Sequence, residues 1–244
     1  MVSLVEGTKS CDISSVFNKI PLAARERVLE VTLDFSSSME NAARVSFPNA
    51  RLTTDRFHVQ QLVTEALQQM RITLRWKVIQ EENEGVKQAK KNNKLYKEHI
   101  YTNGDTKKQL LARSRYLLFK PEYEWTTRQK QRAVILFTLF PELHEGYKLS
   151  MCFRNIYQFS KTREQATQRL TVWCKKVYEK KFDVFMTVAE YLKGHEDTIL
   201  NYFPERHTNA SAESFNAKLK GFRALVRGVR DTKFFLFRVA KLYG

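Results

Sequence analysis

The spacing of apolar and polar positions divides this chain into segments of different period. Near the start, Val31-Thr32-Leu33 and Leu52-Thr53-Thr54 are short, largely β-branched runs, each followed at once by an aspartate, Asp34 and Asp55. Ser36-Ser37-Ser38-Met39 follows the first as a serine-rich helix start, and Phe47-Pro48-Asn49-Ala50 turns the chain toward the second. Two strands that end in acids and are joined by one helix predict a parallel β-α-β unit. In open sheets of this kind ligands bind beyond the carboxyl ends of the strands, which puts Asp34 and Asp55 near that edge.

After Asp55 the period becomes helical. Residues 56–97 are rich in Gln, Leu, Glu, Lys and Ala, with one Gly and no Pro, and Val59, Leu62, Val63 and Leu67 supply an i, i+3, i+4 apolar face. Lys87, Lys90, Lys91, Lys94 and Lys97 read equally as a solvated helix face or as a ridge facing DNA. Asn103-Gly104-Asp105 marks a turn, and helices are expected over 126–140, 144–159, 163–178 and 182–192, before a turn at Gly194.

A final amphipathic helix starts after the N-cap candidates Thr208 and Asn209. Phe215, Leu219, Phe222 and Val226 form its apolar stripe, whereas Glu213, Asn216, Lys220, Arg223 and Arg227 form a second, polar stripe. A carboxylate at the head of a basic ridge suits a site that holds divalent metal near a phosphate backbone. A solvated glutamate on a surface helix has the same local pattern.

These segments resemble the DDE transposases of bacterial insertion sequences, in particular the ISL3 group. The resemblance rests on three blocks in order: a strand end of the form D-F-S-x-S-M at residues 34–39, an F-P-N-A…D-R-F-H-V block at 47–59, and T-N-A-x-A-E-S-F-N-x-K-L-K at 208–220. The tail from Phe222 to Arg238 is similar to that group as well. The resemblance implies an α/β fold that is mostly helical overall, with an incomplete ribonuclease-H-like core interrupted by a large all-helical insertion. Residues 1–75 would hold the third to fifth strands, 76–200 the insertion, and 201–244 the core helices carrying the last acidic ligand.

The implied chemistry is two-metal phosphodiester hydrolysis and strand transfer with Mg²⁺ or Mn²⁺, two ions in the complete site. By resemblance Asp34 and Glu213 are catalytic and ligate metal, and Asp55, His58 and Asn216 support them. Arg56, Lys218, Lys220, Arg223, Arg227 and Arg230 would contact DNA. For His58, packing of the helix start is an alternative role. The family's first catalytic aspartate has no counterpart here, since residues 1–8 look like its third strand and Glu6 and Asp12 are the only nearby acids. The expectation is therefore a truncated catalytic fragment, inactive alone, completed by an upstream polypeptide and homo-oligomeric when complete. A non-catalytic DNA-binding remnant or regulatory fragment is the alternative, and an unrelated basic helical protein binding RNA or DNA the third reading.

The composition agrees with a nucleic-acid partner without specifying it. Across 244 residues the formal charge is +16, which favours binding to phosphate backbones. A hydrophobic content of 43% marks a globular chain and not a basic tail. The longest apolar run, residues 133–140, is far shorter than a membrane span, so no membrane association is expected. No positively charged leader with an apolar core is present, and three cysteines without C-x-x-C spacing fit a reducing cytoplasm; the resemblance to bacterial transposases implies a nucleoid-associated protein there. His99, His144, His195 and His207 lack metal-ligand spacing and read as surface or packing residues. Arg71, Arg75 and Trp76 stand at the mouth of the expected insertion, where relatives use a Trp or a basic residue on the transposon end. Trp76, Trp125 and Trp173 are nonetheless expected in helical cores, and none enters the catalytic assignment.

Overall fold

The computed structural model describes residues 7–206, 210–226 and 230–243, without the side chains of 210–213. Among the described residues, strands β1 (Glu30–Leu33) and β2 (Arg51–Thr54) form a two-stranded parallel sheet, in the register Glu30↔Arg51 to Leu33↔Thr54. Every other regular element is helical. Within the chain, residues 1–58 with 196–244 form one compact unit and residues 59–195 a second.

The first unit contains α1 (Ser10–Phe17), α2 (Leu22–Arg25), the sheet, α3 (Ser37–Ser46), α11 (Glu196–Leu200), α12 (Tyr202–Glu205), α13 (Ala210–Leu225) and α14 (Thr232–Tyr243). The predicted β-α-β unit is present: β1, α3 and β2 follow in order and the strands pair in parallel. Leu33, Ala43 and Leu52 pack into one cluster with Val31 against it, so the helix covers one face of the sheet. Across the strands Glu30 and Arg51 form an ion pair of 2.9 Å. β2 is tied to the later part of the unit by two side-chain bonds: the Thr54 hydroxyl donates to Thr198 Oγ1 at 2.8 Å, and Asn201 Nδ2 donates to the Leu52 carbonyl at 2.8 Å. These bonds join segments almost 150 residues apart in sequence, a closure that no local pattern foretells. The third strand expected over residues 1–8 falls largely outside the described residues.

At the end of the chain the two stripes of α13 separate as expected. Phe222 is buried and Phe215 and Leu219 half-buried, whereas Asn216, Lys218, Lys220 and Arg223 are exposed. The apolar stripe packs on α14 through Phe222 against Phe235, at 5.7 Å between ring centroids, and Phe215 against Tyr243, at 5.9 Å. The Arg238 guanidinium lies over the Phe222 ring at 5.3 Å.

The second unit takes in most of α4 (Arg56–Lys91), together with α5 (Lys107–Arg113), α6 (Arg115–Leu118), α7 (Thr127–Leu139), α8 (Pro141–Phe159), α9 (Arg163–Lys180) and α10 (Asp183–Gly194). α4, α7, α8, α9 and α10 match the helices expected from the periodicity, with small shifts, whereas α5 and α6 had no such expectation. α8 begins at Pro141, where a proline at the first helical position costs no hydrogen bond. α10 runs through Gly194 and breaks at His195, one residue later than expected. Three helices open on the same device, Thr-x-x-Gln: Thr106, Thr126 and Thr162 each accept from the backbone N–H of Gln109, Gln129 and Gln165. For α5 and α7 the glutamine also bonds back to the threonine N–H, a complete capping box.

The core of this unit is continuous and aromatic. Trp173, Phe153, Tyr157 and Phe185 are almost wholly buried, and the Trp173 indole N–H donates to the Leu149 carbonyl at 2.9 Å. Trp125 is also buried, with its N–H on the Leu117 carbonyl at 2.7 Å. Trp76 departs from the expectation: 60% of its surface is exposed. Its neighbours one helical face away, Leu74 and Val78, fill the buried positions instead. Gly146 lets α8 approach α4 closely, since a Cβ there would stand 2.9 Å from the Met70 sulfur.

Phe137 and His144 stack with ring centroids 4.3 Å apart and planes 7° off parallel. Burial, aided by the Lys148 ammonium, holds the His144 imidazole below its ordinary value of 6.5. The unfolded chain therefore binds the proton more tightly than the folded one, and stability contributed by the neutral ring is lost as pH falls below about 6.5. The melting temperature should drop between pH 7.5 and 5, and His144→Gln should flatten that part of the profile. A slope unchanged by the substitution would show that His144 is not its source.

Candidate active site

The loop after β1 is built by its own sequence. Asp34 follows the last strand residue, and Ser36 caps α3 by accepting from the Met39 N–H at 3.4 Å. Asp34 Oδ1 accepts from the Ser36 N–H at 3.2 Å, which fixes the carboxylate at the strand end, beside the start of the helix. The residue is exposed, and Oδ2 makes no hydrogen bond among the described residues. It is an oriented carboxylate with an oxygen facing solvent at the carboxyl edge of a parallel sheet.

Asp55, at the equivalent point after β2, is different. It is 2% exposed. Its N–H continues the sheet by donating to the Leu33 carbonyl at 2.8 Å, and Oδ2 accepts from the Phe57 N–H at 3.1 Å. That bond is the N-cap of α4, and it places a negative charge at the positive end of a 36-residue helix. His58 Nδ1 lies 3.3 Å from the same oxygen, and the Phe57 and His58 rings meet edge to face at 5.7 Å. Asp55 and His58 thus organise the helix start immediately beyond the sheet edge. Arg56, on the same turn, is exposed, with its guanidinium 3.4 Å from the Tyr202 hydroxyl.

Of the remaining residues predicted for the site, Asn216, Lys218, Lys220 and Arg223 lie on the exposed side of α13, and Arg230 is exposed just before α14. The backbone of Glu213 belongs to α13, but its side chain lies outside the described residues, as does Arg227 altogether. Among the described residues no three acidic, His or Cys side chains converge on one point. The donor chemistry of Asp34 nevertheless fits a hard divalent cation: a carboxylate, accessible, with one oxygen held and one available. Asp55 fits that role less well, because its carboxylate is buried and engaged at the helix start.

A parallel strand pair with an acid at the end of each strand and a capped helix beyond it belongs to an α/β protein. The chain is a member of a transposase family: the profile of DDE transposases of the ISL3 type matches residues 1–239. Asp34, Asp55 and Glu213 all fall inside that span. Searches of curated proteins and of solved structures found no significant match. Among the described residues no helix is long and apolar enough to cross a membrane.

Proposed function

We propose that this chain is the catalytic-domain portion of a DDE transposase and acts on DNA by metal-assisted phosphodiester hydrolysis and strand transfer. The observation that carries the reading is Asp34, an exposed, oriented carboxylate at the carboxyl end of β1 in a β-α-β unit, within a family match that spans nearly the whole chain. The sheet with its covering helices is read as part of a ribonuclease-H-like core and residues 59–195 as its helical insertion.

In this mechanism Asp34 and Glu213 would hold the metal. When bound, a pair of Mg²⁺ or Mn²⁺ ions supplies the acidity that activates a water or 3′-hydroxyl and stabilises the leaving oxygen. Asp34 contributes a hard oxygen ligand and keeps its orientation through the Ser36 N–H. Asp55 and His58 fix the start of α4 beside it, and Asn216 supports Glu213 from one helical turn along α13. Lys218, Lys220 and Arg223, with Arg56, Arg227 and Arg230, neutralise backbone phosphates. The resemblance assigns two of the three acidic ligands to this chain, so turnover is expected in a protein or complex that supplies the third, as a homo-oligomer on the transposon ends. A chain that bound DNA but never cleaved it in such a complex would be a regulatory remnant.

The reading requires Asp34 and Glu213 to meet. In a chain with Cys11, Cys152 and Cys174 changed to Ser, nitroxide labels on Asp34→Cys and Glu213→Cys should show strong dipolar broadening that the singly labelled variants lack. Absence of broadening at that pair would end the shared-metal assignment.

A further inference from the structure

The loop that presents Asp105 holds the sequence's one Asn-Gly pair, Asn103-Gly104. Ile100 and Thr106 form an antiparallel bridge, and between them the Tyr101 N–H donates to the Asp105 carbonyl at 2.9 Å. The Gly104 N–H donates to the Tyr101 carbonyl at 2.8 Å, which closes the loop. Gly104 has φ +79°, the left-handed position that ends a tight loop of this kind and favours glycine. Nothing stands within 4 Å of the place a Cβ would occupy, so backbone conformation and not crowding selects the glycine.

The same pair is chemically reactive. A glycine, lacking Cβ, leaves its amide nitrogen free to approach the side-chain carbonyl carbon of the asparagine before it. The deprotonated Gly104 nitrogen attacks Asn103 Cγ, a new N–C bond forms, and the Cγ–Nδ2 bond breaks to release ammonia. Water then opens the five-membered imide at either carbonyl, which leaves aspartate or isoaspartate at position 103.

The folded loop opposes each part of this reaction. The N–H of the attacking nitrogen is committed to Tyr101. The amide is held from both ends by Asp105: Asn103 Oδ1 accepts from the Asp105 N–H at 3.2 Å, and Nδ2 donates to Asp105 Oδ2 at 2.8 Å. Asp105 is in turn 1% exposed and gripped by Arg113 and by Arg132, the latter at 2.7 Å. Attack therefore requires the loop to open, and its rate follows the population of the open form. The coupling also runs the other way. An isoaspartate adds a methylene to the main chain inside both hydrogen-bonded rings of the loop, and either product loses the Nδ2 donor to Asp105.

We propose that Asn103 is a site of spontaneous deamidation, restrained by the folded loop, and that its conversion to isoaspartate loosens the helical unit by displacing Asp105 from its arginines. Arg113 comes from α5 and Arg132 from α7, so the position of the Asp105 carboxylate decides whether the loop still ties those helices together. The modification involves neither DNA nor metal and stands apart from the transposase reading.

The test follows the full chain through incubation in mildly alkaline buffer, with and without concentrated urea. Trypsin cuts after Lys97 and Lys107 and frees residues 98–107, in which mass spectrometry reads the change from amide to carboxyl at Asn103. In urea Asn103 should react faster than any other asparagine, and in native buffer it should react about tenfold or more slowly than in urea. Asn93, exposed just after α4, should differ far less between the two conditions. Equal rates at Asn103 in both overturn the restraint by the loop, and no reaction in urea overturns the site itself. Arg113→Gln weakens the grip on Asp105 from an exposed side chain and should speed the native reaction several-fold. An unchanged rate in that variant overturns the coupling to Asp105. Chains incubated in urea, returned to native buffer and separated by ion exchange should differ in melting temperature, the modified fraction lower by about 3 °C or more. Asn103→Gln keeps an amide but disfavours the imide ring, so the same incubation should leave its own melting temperature unchanged. A modified fraction that melts with the intact one, or an equal loss in Asn103→Gln, overturns the loosening.

Discussion

Asp34→Asn should abolish metal-dependent DNA cleavage in a complex that supplies the remaining acidic ligand, while duplex binding stays within about twofold of the parent. The substitution preserves shape and the bond from the Ser36 N–H, so α3 keeps its start. What it removes is the negative charge proposed to hold a divalent cation, and an amide oxygen is a much weaker ligand for Mg²⁺. In the proposed two-metal mechanism, losing metal would cost both nucleophile activation and leaving-group stabilisation, so a drop of about 10³-fold or more is expected. Glu213→Gln should behave alike, and the double variant should be no worse than either single, since residues that serve one centre act as a unit. Asp55→Asn should behave differently: Asp55 caps α4, so its loss should lower the melting temperature and reduce cleavage only in part. Gel-based cleavage and mobility-shift assays on the same preparations separate these outcomes. Parent-like cleavage by Asp34→Asn would remove it from the site.

The largest effect on stability should come from Asp105. Its side chain is 1% exposed and is held by Arg113 from α5 and Arg132 from α7, the latter at 2.7 Å, with Asn103 Nδ2 donating at 2.8 Å. Burial would raise this carboxyl, but hydrogen bonds from Arg132 and Arg113 outweigh it and hold the pKa below the usual 3.8. Asp105→Ala leaves Arg132, itself only 19% exposed, without its counter-charge. Breaking a buried pair from one side costs roughly 3 kcal/mol or more. Asp105→Asn should cost less, since the geometry persists. The sign with pH follows from the lowered pKa: the contribution is complete above about pH 3.8 and is lost as pH falls through the folded-state value. As a comparison, Glu81→Ala breaks the exposed Lys107–Glu81 pair and should change stability by less than about 1 kcal/mol. Equal losses for the two variants in denaturant unfolding would show that Asp105 is not a keystone of this unit.

Asp105 was visible in the sequence only as part of a turn. The turn itself was legible, because Asn-Gly-Asp supplies a residue tolerant of positive φ, and Gly104 has φ +79°. Its two arginine partners were not, since they stand 8 and 27 residues further along and only the packing of α5 and α7 brings them in.

The sequence alone determined what depends on neighbours along the chain: the period of the longer helices, the serine-rich helix start at Ser36, the parallel β-α-β order and the separation of apolar from basic positions on α13. Backbone sterics and side-chain reach act within a few residues, so these were local matters. The family blocks added the expectation that Asp34 and Glu213 share one task. Tertiary structure decided burial. It set Asp34 in solvent and Asp55 inside, moved Trp76 out of the core while keeping Trp125 and Trp173 within it, and tied β2 to Thr198 and Asn201. Those outcomes depend on which surfaces meet across more than a hundred residues, and a pattern with a period of a few residues carries no record of that meeting.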